Sequence, residues 1–349
     1  MTPRTLPEGR PQDLGFAPDA TKAIIGVLQA EVARQRLPGG VALVARAGQV
    51  LLHSAFGQQD PQRGVPMERD SLFRIYSMTK PMVSVAVLQL MERGKLLLSD
   101  PVSKHLPEFA GVPVAHDVLG SMALQPPLRE PTVHDLLRHT SGLTYEILGN
   151  DPIQLQYAKA RLGARDMPNR TFAQTLARIP YRFEPGTVWE YSRATDLLGA
   201  LVEVVSGQTL GAFLHDNIIS PLGMVDTGFA VPPEHHHRIA EPFEKDPDGA
   251  IPMRLLDPRK PPAMEAGGAG LVSTAADYAL FSQALLDGGT LGNARLLSPA
   301  TVRSMTADHL GDIAPYRAGR SGELLPPGHG FGLGFAVRLQ DGISPVSGS

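Results

Sequence analysis

The first strong pattern along the chain is a set of apolar residues at helical spacing. Ile24, Leu28 and Val32 fall on one face of segment 18–36. Apolar residues three and four positions apart are typical of an amphipathic helix. The pattern therefore predicts a helix in this segment.

Two runs of aliphatic and β-branched residues follow the predicted helix. They occupy residues 39–57 and meet at Ala47 and Gly48. Such runs on either side of a short turn predict a β-hairpin. The predicted order is a helix, two antiparallel strands and then a further helix.

The next predicted helix begins near Ser77 and is apolar nearly all round. The stretch MVSVAVLQLM follows Pro81, and Gly94 stands where the pattern ends. A proline in the first helical turn costs little, because the N–H that it lacks has no partner within the helix. A helix that is hydrophobic on every face is buried. We therefore expect a core helix that ends near Arg93, with Gly94 just after it.

Residues 101 to about 260 have a pattern of helices and long loops. Thr132 and Thr274 are typical helix N-caps, and Gly207 divides a long helical stretch. Residues 330–342 are typical of the beginning of a strand. Two strong strands early in the chain and one late make a small sheet for this length, so we expect further strands beyond Ser349.

Composition limits the classes of function. The chain has 349 residues, 42% hydrophobic and 19% charged, which is typical of one large globular domain or two. A net charge of −3 provides no basic surface for nucleic acid or anionic lipid. The sequence has no cysteine, which excludes disulfides and thiolate catalysis. It also has no signal-peptide core and no apolar run of roughly 18 residues. We expect a cytoplasmic protein that binds neither nucleic acid nor membrane.

Ser77 and Lys80 are the first candidate catalytic residues. Side chains at positions i and i+3 share one face of a helix, so the lysine can approach the serine hydroxyl. A serine nucleophile needs a base within hydrogen-bond reach. Burial lowers the pKa of a lysine, and so does the positive end of a helix dipole. The spacing alone is weak evidence, because a capping serine beside a solvated lysine has the same pattern.

Two other hydrolase arrangements fit poorly. No serine has glycines at both −2 and +2, as a G-x-S-x-G nucleophile elbow requires. His235, His236 and His237 are adjacent, so their side chains diverge, and His134 and His139 lack the HExxH spacing. We therefore expect no metal and no cofactor.

Four segments resemble a known family. The sequence SMTK, residues 77–80, resembles the S-x-x-K box of serine β-lactamases and penicillin-binding proteins. The wider chain, from about residue 16 to 341, resembles the family VIII carboxylesterases, which are related to class C β-lactamases. The segments that carry this resemblance are 73–109, 131–145, 183–210 and 266–289.

The resemblance implies roles for three residues. Ser77 matches the family nucleophile, Lys80 matches the lysine of the same box, and Tyr191 matches the tyrosine of the Y-x-N box. Tyr191 would share the serine proton with Lys80. From the residues alone, an aromatic half-buried in the core is the better interpretation of Tyr191, and it is the family box that favours a catalytic role.

The sequence departs from the family pattern at two places. Arg193 replaces the asparagine of the tyrosine box, which favours simple esters over β-lactams. The third family box, K-T-G or W-G-G, is absent, since the last lysine is Lys260 and the only tryptophan is Trp189. We expect that the chain is truncated and that this box lies beyond Ser349.

The fold implied by the resemblance is α+β, of the β-lactamase and penicillin-binding-protein type. We expect an antiparallel sheet flanked by helices from residues 1–100 and 262–349, and a mostly helical domain from 101–261. Asp196, His139 and the Gly267-Gly268 turn receive no chemical role, and packing is the simplest explanation for them.

The implied function is that of a serine carboxylesterase. It would hydrolyse short-chain acyl esters through an acyl-enzyme on Ser77, with a small-molecule ester as its partner. A β-lactamase or D-Ala-type peptidase, an acyltransferase and an inactive truncated fragment remain alternatives, and the oligomeric state is left open.

Overall fold

The computed structural model describes residues 4–118, 121–245, 255–315 and 323–343. Its α-helices are α1 Ala20–Ala33, α2 Thr79–Glu92, α3 Val102–His105, α4 Val133–Leu137, α5 Pro152–Lys159, α6 Asn169–Leu176, α7 Ala194–Ser206, α8 Leu210–Leu214, α9 Ser220–Leu222, α10 Ala275–Leu286 and α11 Pro299–Met305. Short 3-10 helices lie at Pro11–Leu14, Tyr76–Met78, Pro107–Phe109 and Pro233–Arg238, and a π-helical turn at His215–Ile219.

In the described part of the chain, each pair of named strands is antiparallel. They are β1 Gly39–Arg46, β2 Gln49–Asp60, β3 Val65–Pro66, β4 Phe73–Arg74, β5 Val114–Val118, β6 Ser121–Gln125, β7 Val272–Ser273, β8 Thr290–Leu291, β9 Ala294–Arg295, β10 His329–Phe331 and β11 Ala336–Arg338. Strands β1, β2 and β3 form one sheet, and the other pairs are β4–β7, β5–β6, β8–β9 and β10–β11. The predicted α+β class is confirmed.

The chain divides into two compact units. The first contains Met1–Ile75, Ile218–Pro261 and Leu271–Arg295, and the second contains Tyr76–Asn217, Pro262–Gly270 and Leu296–Ser349. The predicted division, residues 1–100 and 262–349 against 101–261, uses different boundaries and stays a prediction.

The first unit is built on the β1–β2 hairpin. Its turn residues, Ala47 and Gly48, have φ of 50° and 73°. Two successive left-handed residues match the right-handed twist of a hairpin, which is why short turns of this kind connect strands. Helix α1 packs on β2 and α10 packs on β1. A sheet flanked by helices results, as predicted.

The second unit is built around α2, which packs against α7 and α8. Met82, Val83 and Val85 have no exposed surface. The prediction of a buried helix is confirmed, and Gly94 follows the helix with a φ of 66°. Burying three such side chains removes several hundred Å² of apolar surface from water, so α2 fixes the position of everything at its N-terminus.

The helix caps agree with the sequence pattern. The Thr132 hydroxyl accepts a hydrogen bond from the Asp135 N–H, and the Asp135 carboxylate accepts one from the Thr132 N–H, which completes a capping box for α4. The Thr274 hydroxyl likewise accepts a hydrogen bond from the Asp277 N–H and so caps α10. Gly207 ends α7 in the left-handed conformation.

Three local predictions need correction. The α-helix begins at Thr79, and Ser77 lies in the preceding 3-10 turn. Residues 330–342 contain parts of two short strands, because the chain reverses at Gly334, where φ is 109°. The middle of the chain contains the β5–β6 hairpin as well as helices.

No single helix in the described ranges is long and apolar enough to cross a membrane, and the helices at Ala194–Ser206 and Leu210–Leu222 meet that criterion only as a bent pair. The cytoplasmic location stays a prediction.

Candidate active site

Ser77 lies immediately before α2, in the turn Tyr76–Met78. Tyr76 has a φ of 43°, a left-handed conformation that is unfavourable for a residue with a Cβ. Such strain is typical of sites where the backbone must present one side chain in a fixed direction. The Ser77 side chain is exposed, so its hydroxyl is accessible at the N-terminal end of a buried helix.

Lys80 is one turn further on, and its side chain is buried, with 2% of its surface exposed. Its Nζ donates a hydrogen bond of 2.6 Å to the carbonyl oxygen of Gly268. It also lies 3.2 Å from Tyr145 Oη and 3.4 Å from Ser77 Oγ. The amine therefore has three polar neighbours, of which only Ser77 is exposed.

The surroundings of Lys80 lower its pKa to about 7, mainly because burial disfavours the charged ammonium. The Asp196 carboxylate opposes this shift, and the Arg193 and Arg165 guanidinium groups add to it. A lysine with this pKa is partly neutral at neutral pH. A neutral amine has a lone pair that can accept the proton of the serine hydroxyl.

Tyr191 completes the group. Its ring centre is 4.5 Å from Lys80 Nζ, and its hydroxyl is hydrogen-bonded with Ser77. Burial raises the pKa of Tyr191 to about 12, although the hydrogen bond with Ser77 opposes the shift. The phenol is consequently neutral near pH 7 and can donate a proton. The structure brings Ser77, Lys80 and Tyr191 together, while their catalytic roles stay a prediction.

The carbonyl that holds Lys80 belongs to a peptide segment fixed by Asp196. Asp196 Oδ1 accepts a hydrogen bond of 2.8 Å from the Gly268 N–H, and Asp196 Oδ2 lies 3.1 Å from Arg193 Nη1. A Cβ on Gly268 would lie 2.8 Å from the same carboxylate, so only glycine fits. Arg193 also forms an ion pair with Glu146. These contacts give Asp196, Arg193 and Gly268 a positioning role that packing alone does not describe.

His139 positions the segment that carries Tyr191. The ring is buried, and its Nδ1 accepts a hydrogen bond of 3.2 Å from the Ser192 N–H. The His139 and Tyr191 rings are 4.8 Å apart, centre to centre. Burial and the charge of Lys80 hold the pKa of His139 well below its usual value, so the imidazole is neutral.

Comparison with known proteins places these residues in a family. Residues 24–344 match the model of the family described as Beta-lactamase. Esterase EstB of Burkholderia gladioli is 36% identical over 324 residues, a match that covers 87% of this chain and 76% of EstB. The chain belongs to the beta-lactamase family.

Solved structures extend the likeness to the fold. EstCE1, described as a hydrolase with promiscuous acyltransferase activity, superposes with a TM-score of 0.74 at 29% identity, covering 93% of this chain and 84% of EstCE1. Simvastatin synthase LovD of Aspergillus terreus superposes with a TM-score of 0.75 at 27% identity, with the same coverages of 93% and 84%. The predicted β-lactamase-like fold and the likeness to family VIII esterases are confirmed, and the chain is a serine hydrolase of that type.

Two residues of this beta-lactamase-family site were missed from the sequence. Tyr145 ends segment 131–145, which was one of the segments that carried the resemblance, so a signal for it existed. Arg165 lies in a loop outside all four segments and had no signal. Both approach Lys80 only because the chain folds back across long sequence separations, and local spacing does not encode such contacts.

Proposed function

We propose that this protein is a carboxylesterase that hydrolyses short-chain acyl esters through an acyl-enzyme on Ser77. The observation that carries the proposal is the amine of Lys80, 3.4 Å from Ser77 Oγ and with a pKa lowered to about 7. A base with a pKa close to the working pH is the most effective general base. Kinship with Esterase EstB supports the reaction class.

In the acylation step, Ser77 Oγ attacks the ester carbonyl while its proton passes to Lys80 Nζ. The first N–H groups of α2 have no partner within the helix, and in this mechanism they stabilise the oxyanion. As the C–O bond to the alcohol breaks, the Tyr191 hydroxyl donates a proton to the leaving oxygen and regains one from the Lys80 ammonium. Water then attacks the acyl-enzyme by the reverse sequence of proton transfers and releases the acid.

The environment of Arg193 supports esters rather than β-lactams. Asparagine at this position of the family box has an amide that can bind a substrate amide, whereas Arg193 directs its guanidinium to Glu146 and Asp196. Arg193 is 5% exposed, so little of it is accessible to a substrate. β-Lactam hydrolysis is therefore expected to be a weak side activity.

An acyltransferase is the second candidate. EstCE1 is described as a hydrolase with promiscuous acyltransferase activity, and an acyl-enzyme reacts with an alcohol as it does with water. Adding an alcohol to the ester assay separates the two. A transferase forms the new ester in preference to free acid, whereas a hydrolase releases mainly acid.

Ser77→Ala tests the proposal directly. We expect the wild-type protein to release p-nitrophenol from p-nitrophenyl butyrate with a pre-steady-state burst, and the variant to show neither burst nor turnover. Ser84→Ala, on the buried face of the same helix, is the matched control and should remain active. Comparing butyrate with decanoate tests the chain length, and nitrocefin tests β-lactams. Full activity in Ser77→Ala would refute the proposal.

A further inference from the structure

Arg165 lies beside the site without a carboxylate partner in the described part of the chain. Its Nη1 donates a hydrogen bond of 3.3 Å to the Ala269 carbonyl. Its Nε is buried and has no hydrogen-bond partner among the described residues. A guanidinium has five N–H donors, so most of the binding capacity of Arg165 is unused.

Two sets of contacts fix the position of the loop that carries Arg165. Ala269, its acceptor, directly follows Gly268, whose carbonyl holds Lys80 Nζ. In the same loop, Gly163 packs against the ion pair of Arg193 and Glu146, and a Cβ there would lie 2.9 Å from Arg193 Nη2. The guanidinium is therefore within electrostatic range of Lys80, whose ammonium it destabilises.

Neither the backbone nor packing explains an arginine at this position. Arg165 has a φ of 57°, a conformation in which a side chain costs about 1–2 kcal/mol. A partly buried cation without a partner is unfavourable as well. Arg161, four residues earlier, has a similar φ of 56° but is exposed and paired with Asp166. The contrast indicates that the partner of Arg165 comes from outside the described chain.

We propose that Arg165 binds a carboxylate on the substrate, so that the preferred esters are anionic. This inference rests on the proposed esterase function and makes its substrate class specific. The planar guanidinium matches a carboxylate with two parallel hydrogen bonds. Of the charged side chains around Lys80, the Asp196 carboxylate and the nearby Glu146 both pair with Arg193, and neither forms an ion pair with Arg165 in the described ranges. When Lys80 accepts the serine proton the cluster gains a positive charge, which a substrate carboxylate offsets.

Matched ester pairs test the inference. One pair is the p-nitrophenyl monoester of adipic acid and the p-nitrophenyl ester of monomethyl adipate. The other pair is para-carboxyphenyl butyrate and its methyl ester, which moves the charge to the alcohol side. We expect Arg165→Gln to lower the ratio of kcat/KM, anionic over neutral, by about tenfold or more in at least one pair. Arg165→Lys should retain part of that ratio.

Arg161→Gln is the control, because it has the same residue type, loop and backbone conformation. It should leave the ratio unchanged. An Arg165→Gln variant in which the ratio is unchanged in both pairs, or in which both members of each pair fall equally, would overturn the inference while the esterase proposal stands.

A binding measurement separates this inference from the proposed reaction. On the Ser77→Ala background, which removes the nucleophile, calorimetry should show tighter binding of the anionic ester than of the neutral one. Adding Arg165→Gln should abolish the difference. If the wild-type protein hydrolyses no ester, the esterase proposal fails, and this comparison still decides whether Arg165 binds carboxylates.

Discussion

Several effects act on the pKa of Lys80 in opposite directions, and burial, which lowers it, is the largest. Removing an ammonium from water costs several kcal/mol. The Asp196 carboxylate offsets only part of this cost, because Asp196 also pairs with Arg193. The three polar atoms around Nζ stabilise either protonation state by hydrogen bonds. The outcome is an amine with a pKa of about 7.

The pH dependence of the reaction should follow Lys80. Its pKa is lowered to about 7, so the neutral amine is the form that accepts a proton, and kcat/KM should rise with pH through about 7 and then level off. Tyr191, with a pKa of about 12, stays protonated across this range. The measurement is kcat/KM for an uncharged ester between about pH 5 and 9.

Lys80→Arg provides the control for this profile. An arginine keeps its proton at every accessible pH, so the variant should lose the rising limb together with most of its activity. A wild-type profile that is flat between about pH 5 and 9 would remove Lys80 as the base.

Tyr191→Phe should lower kcat by about 10²–10⁴, the usual contribution of a positioned proton donor. The ring over Lys80 is retained and only the hydroxyl is lost. Tyr278→Phe is a suitable control, because burial also raises the pKa of Tyr278 to about 12 and Tyr278 belongs to the other compact unit. Equal losses in the two variants would indicate a general effect on folding, contrary to a role for Tyr191.

Sequence spacing could single out Ser77 and Lys80 as a candidate pair, because they are three positions apart and their contact is local, but the family resemblance was needed to prefer catalysis over a capping serine beside a solvated lysine. Tyr191 needed the family resemblance, since nothing within its own segment distinguishes it from a core aromatic. Arg165 could not be found, because its significance is an absent partner, and only a folded structure shows which donors lack acceptors.

At the scale of elements, the hydrophobic pattern predicted α2 and the β1–β2 hairpin, because the apolar residues that define each element lie within its own segment. The start of α2 was placed two residues too early, since the 3-10 turn at Tyr76–Met78 has no periodicity of its own. The strand predicted at 330–342 failed for a different reason. The chain reverses at Gly334, and the sequence does not show whether a glycine within a strand-like run has a positive φ.

Gly334→Ala should destabilise the protein. Gly334 has a φ of 109°, and an added Cβ would lie 2.7 Å from Ser84 Cβ on α2. Backbone strain and overpacking together should cost about 2–5 kcal/mol of the free energy of unfolding, measured by urea denaturation.

Gly311→Ala is the matched control for this contact. Gly311 also has a positive φ, 54°, but no atom of the described residues lies within 4 Å of an added Cβ. Gly311→Ala should lower the free energy of unfolding only by the cost of the strained backbone. Equal losses of stability in both variants would show that the contact with Ser84 is unimportant.

At the scale of the whole molecule, the residues of the site come from distant parts of the chain yet belong to one compact unit. Ser77, Tyr145, Arg193 and Gly268 all lie in the second unit, although segment 218–261 of the first unit interrupts them in sequence. A linear division at residues 101 and 262 treats these neighbours as members of different domains. Sequence pattern does not show that these segments belong to one compact unit, because it reports periodicity within a segment and not which segments meet.

Lys80→Met should stabilise the fold while abolishing activity. The pKa of Lys80 is about 7 in the folded protein and near 10.5 when unfolded, so the unfolded state binds more protons between these values. Wild-type stability therefore rises with pH across this window, and below it the buried lysine costs on the order of several kcal/mol. Methionine removes that cost, so its advantage in urea denaturation should be large at about pH 6 and small at about pH 10.

The exposed Lys95→Met is the comparison for this prediction. It should change the free energy of unfolding little at either pH. An advantage of Lys80→Met that is the same at both pH values would contradict the proposed titration.

The hydrogen bond from Lys80 to Gly268 spans 188 positions of sequence, and this has a consequence for biosynthesis. A ribosome extends a chain at about 5–20 residues per second, so the serine and the lysine emerge many seconds before the carbonyl that fixes the amine. Until that segment arrives, Lys80 is a solvated ammonium with an ordinary affinity for its proton. If Ser77 and Lys80 act as proposed, the serine of the nascent chain stays unreactive until the segment that contains Gly268 docks.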